Sequence, residues 1–555
     1  MYVACSPRSD PVDYLLYDLP FNIIKHANKL GQWAASRTDI FSEMLCNELS
    51  KLHSSSSPHS FEKTVDILER TFNRRFDDIF DEFIREPLGV GAMGQVYKAK
   101  LSQKIIEEIE REPVLTAKPE DQRLRKRLQQ RMKASIVDRF AFKYQEPPSD
   151  WVVVKVLHPR VHKMVRRDLS IMKFFANLIN ALPTMEWLSF PQEVDMFGRM
   201  MNMQLNLQIE AENLLIFREN FKERVDINFP KPYFRLCSRE VLVEEYINGI
   251  SMSTLLRNSP NNWETKTAIR TDLHHEQIDK NAMDKEISDK GLDAFLKMLL
   301  LDNFIHSDLH PGNIYIRFYK KDRPDLLRLD SGDPDASHEL DKVTNHLLQL
   351  RDDKEAWNAE LQRMYSQGYK PQICFIDAGL VTELDAVNRK NFIDLFKAIA
   401  MFDGYHVGEL MIERSRTPGT VTGEDIFIFK VDRLIRTIKT RTFALGNVQI
   451  GDLLTRMLKM VRDHHVRLEG DFITVVISVL LLEGIGRQLN PGMDLFKSSI
   501  PILRQLGPDS THNLFSEDTL SMGKVWLTLE LRRFITASIQ DVHSLVKHDG
   551  LCPNQ

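Results

Sequence analysis

"PLGVGAMGQVYKAK", residues 87–100, carries Gly89, Gly91 and Gly94 in G-x-G-x-x-G spacing. The spacing alone leaves three readings open: a turn opening a dinucleotide-binding helix, a cover over nucleotide phosphates, or an ordinary turn. The segments downstream of the glycines separate them. "GQVYKAKL" and then "WVVVKVLHP" are valine-rich stretches bounded by Gly or Pro, the pattern of short strands. A dinucleotide-binding turn would lead into a helix, so that reading fails.

Three further features give the loop its chemistry. Lys155 stands in the middle of the apolar strand "WVVVKVLHP", where an unpaired ammonium is costly to bury. It needs an anionic partner, and Glu210, in a helical stretch downstream, and phosphate oxygens are the two candidates; a solvent-facing edge lysine is the plainer alternative. "FIHSDLHPGNIYI", residues 304–316, holds Asp308 and, five positions on, Asn313, which matches the kinase catalytic loop H-x-D-L-x-x-x-N. There the aspartate orients or deprotonates the attacking hydroxyl and the asparagine binds magnesium. "ICFIDAGL", residues 373–380, is an apolar strand delivering Asp377 into Ala378 and Gly379, a D-x-G arrangement whose hard carboxylate suits Mg²⁺. Taken alone it is also a common turn. Glycine loop, strand lysine, helix glutamate, H-x-D-x-x-x-x-N and D-x-G come in the order a kinase fold uses around MgATP. Ala92, Val96 and Glu245 are counted with Gly89, Gly91, Gly94 and Lys155 as nucleotide-binding.

The rest of the chain fits a multidomain globular protein of 555 residues. Its 74 basic and 78 acidic residues leave a net charge of -4, which offers no global attraction for nucleic acid. Five cysteines (Cys5, Cys46, Cys237, Cys374, Cys552) lie scattered without C-x-x-C pairs, so neither a zinc site nor a disulfide framework is expected, and a reducing compartment fits best. The longest apolar run, "FITVVISVLLL" at 472–482, falls short of the roughly 18–20 residues of a spanning helix and reads as a buried helix. The first residues carry Asp10, Asp13 and Asp18 against one arginine, unlike a transit peptide.

Residues 161–223 have helical spacing, "REVLVEEYINGIS" at 239–251 reads as one strand, and the region beyond about 290 is mostly helical, interrupted by the strands "NIYIRF" and "QICFID". Two charge-rich segments, 102–150 and 319–370, read as insertions. "RLRKRLQQRMK" at 123–133 has six basic residues and no acid; a solvated helix is the plainer reading and an anionic partner surface the other. The fold class expected is α+β, bilobal and protein-kinase-like: an N-terminal helical extension over 1–80, an N-lobe over 81–248, and a mainly helical C-lobe over 249–555.

The chain departs from ordinary protein kinases in passing from Asp377 almost directly into a helical pattern, with no A-P-E segment to support a peptide substrate. Lys29-Leu30-Gly31-Gln32 matches the K-x-G-Q signature of the ABC1/UbiB/AarF-domain (ADCK) atypical kinases. The resemblance continues through "VVVKVLHP", "EAEN", "HSDLHPGNI", "FIDAGL" and "LLEGIGRQLNPGMDLF", and the two insertions make it most similar to the AarF-domain kinase 2 branch. It implies a kinase-like fold, binding of ATP or ADP with Mg²⁺, ATPase activity or unorthodox phosphoryl transfer, and support of coenzyme Q (ubiquinone) synthesis or lipid metabolism, usually in mitochondria. The implied partners are a nucleotide, a lipid or quinone precursor at a membrane surface, and a coenzyme Q biosynthetic complex. A non-catalytic nucleotide-gated scaffold is the alternative, and a small-molecule phosphotransferase, suggested by "HSDLHPGN", the third. By resemblance Lys29 and Gln32 lie on an extension over the active site, Lys155 pairs with Glu210 and touches the α- and β-phosphates, and Asp308, Asn313 and Asp377 hold the catalytic and metal positions. The chain differs from its relatives at two places. Gln204 and Asn206 replace the usual E-x-D carboxylates, which removes the charge expected to pair with Lys29, and Gly89 and Gly91 stand where relatives keep alanines.

Overall fold

The computed structural model describes residues 58–111, 131, 151–181, 189–259, 282–321, 334–443 and 450–493. The chain divides into two compact units, one made of residues 1–258 and 310–381, the other of 259–309 and 382–555. This division differs from a single cut at 248/249, because the strands after residue 313 go with the first unit.

In the first unit, β1 (Phe80–Phe83), β2 (Gly89–Val90), β3 (Gly94–Leu101), β4 (Val152–Leu157) and β6 (Val241–Glu245) form an antiparallel sheet in the order β1-β3-β4-β6, with β2 added on β3. Side chains alternate across a strand. Ala99, Leu101, Val152, Val154, Val156, Val241 and Val243 therefore bury together in one core. Each buried valine contributes about 1.5–3 kcal/mol. Helix α1 (Phe61–Phe72) adds Ile67 and Leu68 to this core, and α2 (Gln103–Arg111) adds Ile105 and Ile109. The first charge-rich segment thus opens with a helix seated in the core, because its isoleucines recur at i, i+4 spacing.

The opposite face of the sheet carries Val96, Val153 and Lys155, all only half-buried. Farther out on it, the Lys98 ammonium lies 4.5 Å from the Trp151 ring and 4.0 Å from that of Tyr246. Helices α3 (Val161–Asn180), α4 (Phe190–Gln204) and α5 (Leu207–Asn220) account for the helical spacing read over 161–223.

A second sheet in the same unit runs β5-β9-β8-β7, where β5 is Ile227–Asn228, β7 Ile250–Ser251, β8 Ile314–Lys320 and β9 Tyr369–Phe375. β8 and β9 are antiparallel from Ile314/Phe375 to Lys320/Tyr369, and β5 joins β9 in parallel. Stacked Phe217, Phe229 and Phe375 tie α5 to this sheet, with ring centroids 4.6 and 5.3 Å apart. "REVLVEEYINGIS", read as one strand, is two strands in different sheets, β6 and β7, because the chain leaves the first sheet at Tyr246–Gly249. The second charge-rich segment includes the helices Pro334–Gln349 and Lys354–Ser366 between β8 and β9, and it buries Leu347, Trp357 and Leu361. Few apolar residues suffice when each is buried.

The second unit is mainly helical: Ala282–Leu296 continued by a π-helical Lys297–Asp302, then Ala386–Ala400, Gly404–Glu413, Glu424–Phe443, Ile450–Asp463 and Gly470–Leu489. The last, containing "FITVVISVLLL", is the one described helix long and apolar enough to cross a membrane, with a mean hydropathy of 1.7. Just over half of that stretch, 56%, is buried within the protein. Its Glu483 is also buried and accepts from the Arg487 guanidinium at 2.7 Å.

Candidate functional site

The centre of β4 sets the geometry. With Val154 and Val156 turned into the core, alternation turns Lys155 to the other face, where three oxygens surround its ammonium. Glu210 Oε1 is 2.6 Å away, the Ile376 carbonyl oxygen 3.0 Å, and Glu244 Oε1 3.2 Å. Burial by itself would lower the Lys155 pKa, but the carboxylates of Glu210, Glu244 and Asp377 more than reverse it, so the amine is held charged.

Both glutamates titrate above the ordinary carboxylate range. For Glu210 the cause is first burial, opposed by Lys155 and reinforced by Asp377; for Glu244 it is burial, opposed by Lys155 and reinforced by Glu210. The carboxylates of Glu210, Glu244 and Asp377 all act on the Lys155 ammonium. The glutamate of β6 on the lysine face is thus Glu244, and Glu245, counted as nucleotide-binding from the sequence, lies on the opposite face. Glu245 turns to the other side of β6: its Oε2 accepts from the Lys231 backbone N–H at 3.2 Å and lies 3.8 Å from Arg218, and its Oε1 lies 4.0 Å from Arg317. Its side chain is therefore committed away from Lys155. The register Val153↔Glu244 across β4 and β6 is what puts residue 244 on the lysine face.

The D-x-G turn comes directly after β9. Asp377 Oδ1 accepts from the Gly379 N–H at 2.9 Å, and a side chain on Gly379 would crowd that oxygen, 3.2 Å from the position of a Cβ. The Ala378 N–H donates to the Glu210 carboxylate, and the Ala378 carbonyl accepts from Asn213 Nδ2 at 2.7 Å, so α5 grips the turn from both sides. Asn313 is buried, and its backbone carbonyl accepts from the Ile376 N–H at 3.0 Å. Residue 313 is thereby fixed beside the chain entering Asp377. Among the described residues no three His, Cys, Asp or Glu side chains are grouped to hold a metal. A cation bound by Asp377 and Asn313 would need the phosphates of a ligand to complete its oxygen shell, which is the usual habit of Mg²⁺.

The glycine loop is a β2-turn-β3 hairpin, with Gly89 paired to Val96 and the Gly91 N–H donating to the Gly94 carbonyl at 2.9 Å. Its three glycines serve different ends. Gly94 is required by the protein, since a Cβ there would collide with the Val156 carbonyl; Gly89 and Gly91 have open space around the position of a Cβ. Ala92 and Val96 lie half-buried in the same hairpin. His158, just past the end of β4, holds the turn: its Nε2 is 2.9 Å from the Gly91 carbonyl oxygen, and its Nδ1 2.7 Å from His59 Nδ1.

The first unit thus brings together Lys155, Glu210, Asp377 and Asn313 under the sheet that carries the loop. Asp308 belongs to the second unit, two residues before the chain crosses to the first, and its backbone N–H donates to His306 Nδ1 at 3.2 Å. Lys29 and Gln32 lie outside the described residues. Asn206 serves as the N-cap of α5, its Oδ1 accepting from the Gln208 N–H at 3.2 Å. Gln204 Oε1 is buried without a hydrogen-bond partner among the described residues.

Comparison with known proteins gives the arrangement its family. The ABC1 atypical kinase-like domain matches residues 51–148 and 133–350, and the UbiB helical domain matches 431–494. The chain is 45% identical over 95% of its length to the Saccharomyces cerevisiae "ABC1 family protein YPL109C, mitochondrial", covering 73% of that protein. It is 37% identical, again over 95% of its length, to the Schizosaccharomyces pombe "ABC1 family protein C21C3.03, mitochondrial", covering 70%. A more distant relative, "Probable protein kinase UbiB" of Histophilus somni, is 22% identical over 86% of this chain and 68% of its own. The mixed helix-and-sheet architecture and these matches agree with the kinase-like fold expected from the motifs, and the chain belongs to the ABC1 family of atypical kinase-like proteins.

Proposed function

We propose that this protein binds MgATP, or MgADP, on the half-buried face of its first sheet and acts as an atypical kinase or ATPase. The observation that carries the reading is the buried Lys155–Glu210 pair beside Asp377, a charged cluster set below a glycine hairpin whose Gly89 and Gly91 the protein's own packing does not require. In this reading Val96 and Val153 offer apolar surface to the base and Lys155 meets the phosphates. Asp377 and Asn313 would hold Mg²⁺, whose charge would neutralise phosphate oxygens during transfer. The protein's own contribution is positioning and charge complementarity, with Asp308 orienting or deprotonating the acceptor.

The family resemblance extends the proposal to coenzyme Q synthesis or mitochondrial lipid metabolism, with a quinone precursor or lipid acceptor at a membrane surface and a biosynthetic complex as partner. The mitochondrial names of the two fungal relatives support that compartment. The test is ATP hydrolysis by the full chain in the presence of vesicles and a quinone-like phenol. Asp308→Asn is expected to lower turnover about 100-fold or more, the scale of lost acid–base catalysis. Turnover equal to wild type would remove Asp308 from the chemistry.

A further inference from the structure

The ammonium of a lysine has three N–H donors; at Lys155 Glu210 Oε1 and the Ile376 carbonyl accept two of them, and Glu244 Oε1 makes a third contact, an ion pair at 3.2 Å. A phosphate entering here meets the Glu244 carboxylate on the remaining side of the ammonium. A ligand oxygen competes with these three contacts for the amine, and the geometry ranks them. The Ile376 carbonyl is fixed in the backbone, between the β9 strand and the Asp377 turn. Glu210 has the shortest contact and is also anchored by the Ala378 N–H. Glu244 has the longest contact, and its second oxygen, Oε2, is buried without a hydrogen-bond partner among the described residues. A buried carboxylate oxygen left unpaired is destabilising, so Glu244 is the least firmly held of the three.

Building on the nucleotide reading, we propose that Glu244 is a positioning residue that competes with nucleotide phosphate for Lys155, and so sets how tightly the site takes phosphorylated ligands. In the ligand-free state Glu244 keeps the ammonium turned into the sheet. When phosphate enters, Lys155 keeps Glu210 and Ile376 and exchanges Glu244 for a phosphate oxygen. The cost of that exchange, and the repulsion between the Glu244 carboxylate and the entering phosphates, weakens binding of the nucleotide but not of its nucleoside.

The test is a calorimetric titration of the full chain, wild type and Glu244→Gln, with MgADP and separately with adenosine. Glu244→Gln is expected to tighten MgADP about tenfold, the scale of one charge-assisted contact exchanged, and to leave adenosine unchanged. Glu244→Met, of similar length and uncharged, should do the same and serves if the amide variant folds poorly. MgADP affinity unchanged or weakened in a folded variant overturns the proposal, and equal shifts for MgADP and adenosine assign Glu244 a merely structural role. If wild type and both folded variants bind no nucleotide, the nucleotide reading itself falls and this inference with it. Tighter binding by wild type than by either variant sinks the inference while leaving that reading intact.

Discussion

The carbonyl oxygen of Val156 occupies the space that a Cβ on Gly94 would need, so β3 and β4 approach at this point closer than any side chain permits. Gly91 has no such neighbour. Gly94→Ala should therefore destabilise the protein by about 1–3 kcal/mol through overpacking against backbone, whereas Gly91→Ala should leave the melting temperature nearly unchanged. Thermal unfolding of the two variants side by side checks this; equal losses would mean that the hairpin, and not the β3–β4 contact, sets the requirement.

Lys155 and Glu210 bury an ion pair with side chains 13% and 6% exposed. Removing one member of such a pair costs about 3–5 kcal/mol when the other is left uncompensated. Lys155→Met strands two carboxylates and should approach that range, while Glu210→Gln leaves Lys155 with Glu244 and should cost less. Urea denaturation measures the order, and a larger loss for Glu210→Gln would show that Glu244 is no substitute partner.

His59 is pushed down from 6.5 to about 4, first by burial, then by His158 and Lys63. The folded state thus disfavours a proton that the unfolded chain accepts below pH 6.5. The stability this confers is present above pH 6.5 and is lost as pH falls from 6.5 towards 4. His59→Asn should flatten that part of the stability profile, and a profile as steep as that of wild type would assign the acid sensitivity elsewhere.

Asp284 in the second unit shows the opposite sign. Burial raises its carboxyl from 3.8 to about 6, with the Ser259 hydroxyl donation at 3.0 Å opposing the shift. Its neutral form favours the fold, so the contribution is present below pH 3.8 and is lost as pH rises through 6. Asp284→Asn is expected to be more stable than wild type at about pH 8, with the advantage shrinking towards about pH 4, as read by melting temperature against pH.

The strand lysine, the helix glutamate and the turn aspartate are legible in the sequence because each breaks an apolar or periodic pattern that has no local use for it. Glu244 is not. Adjacent residues of a strand face opposite ways, and choosing between Glu244 and Glu245 requires the register of β6 against β4, which depends on pairing between segments distant in sequence. Asn206 illustrates the reverse difficulty: an amide at a family-motif position is occupied as a helix cap, a role that depends on where α5 begins. The split of "REVLVEEYINGIS" between two sheets is hidden for a similar reason, since both halves have strand composition and only their partners differ.

If Lys155, Glu210, Asp377 and Asn313 form a magnesium-nucleotide site, ATP must bind the full chain in a Mg²⁺-dependent way, and calorimetric titration with and without the metal decides the matter. Wild type is expected to bind ATP more tightly with Mg²⁺, and Asp377→Asn to lose that dependence. No binding by folded wild type, or binding equally tight without Mg²⁺ and unaffected by Asp377→Asn, would contradict the proposed site.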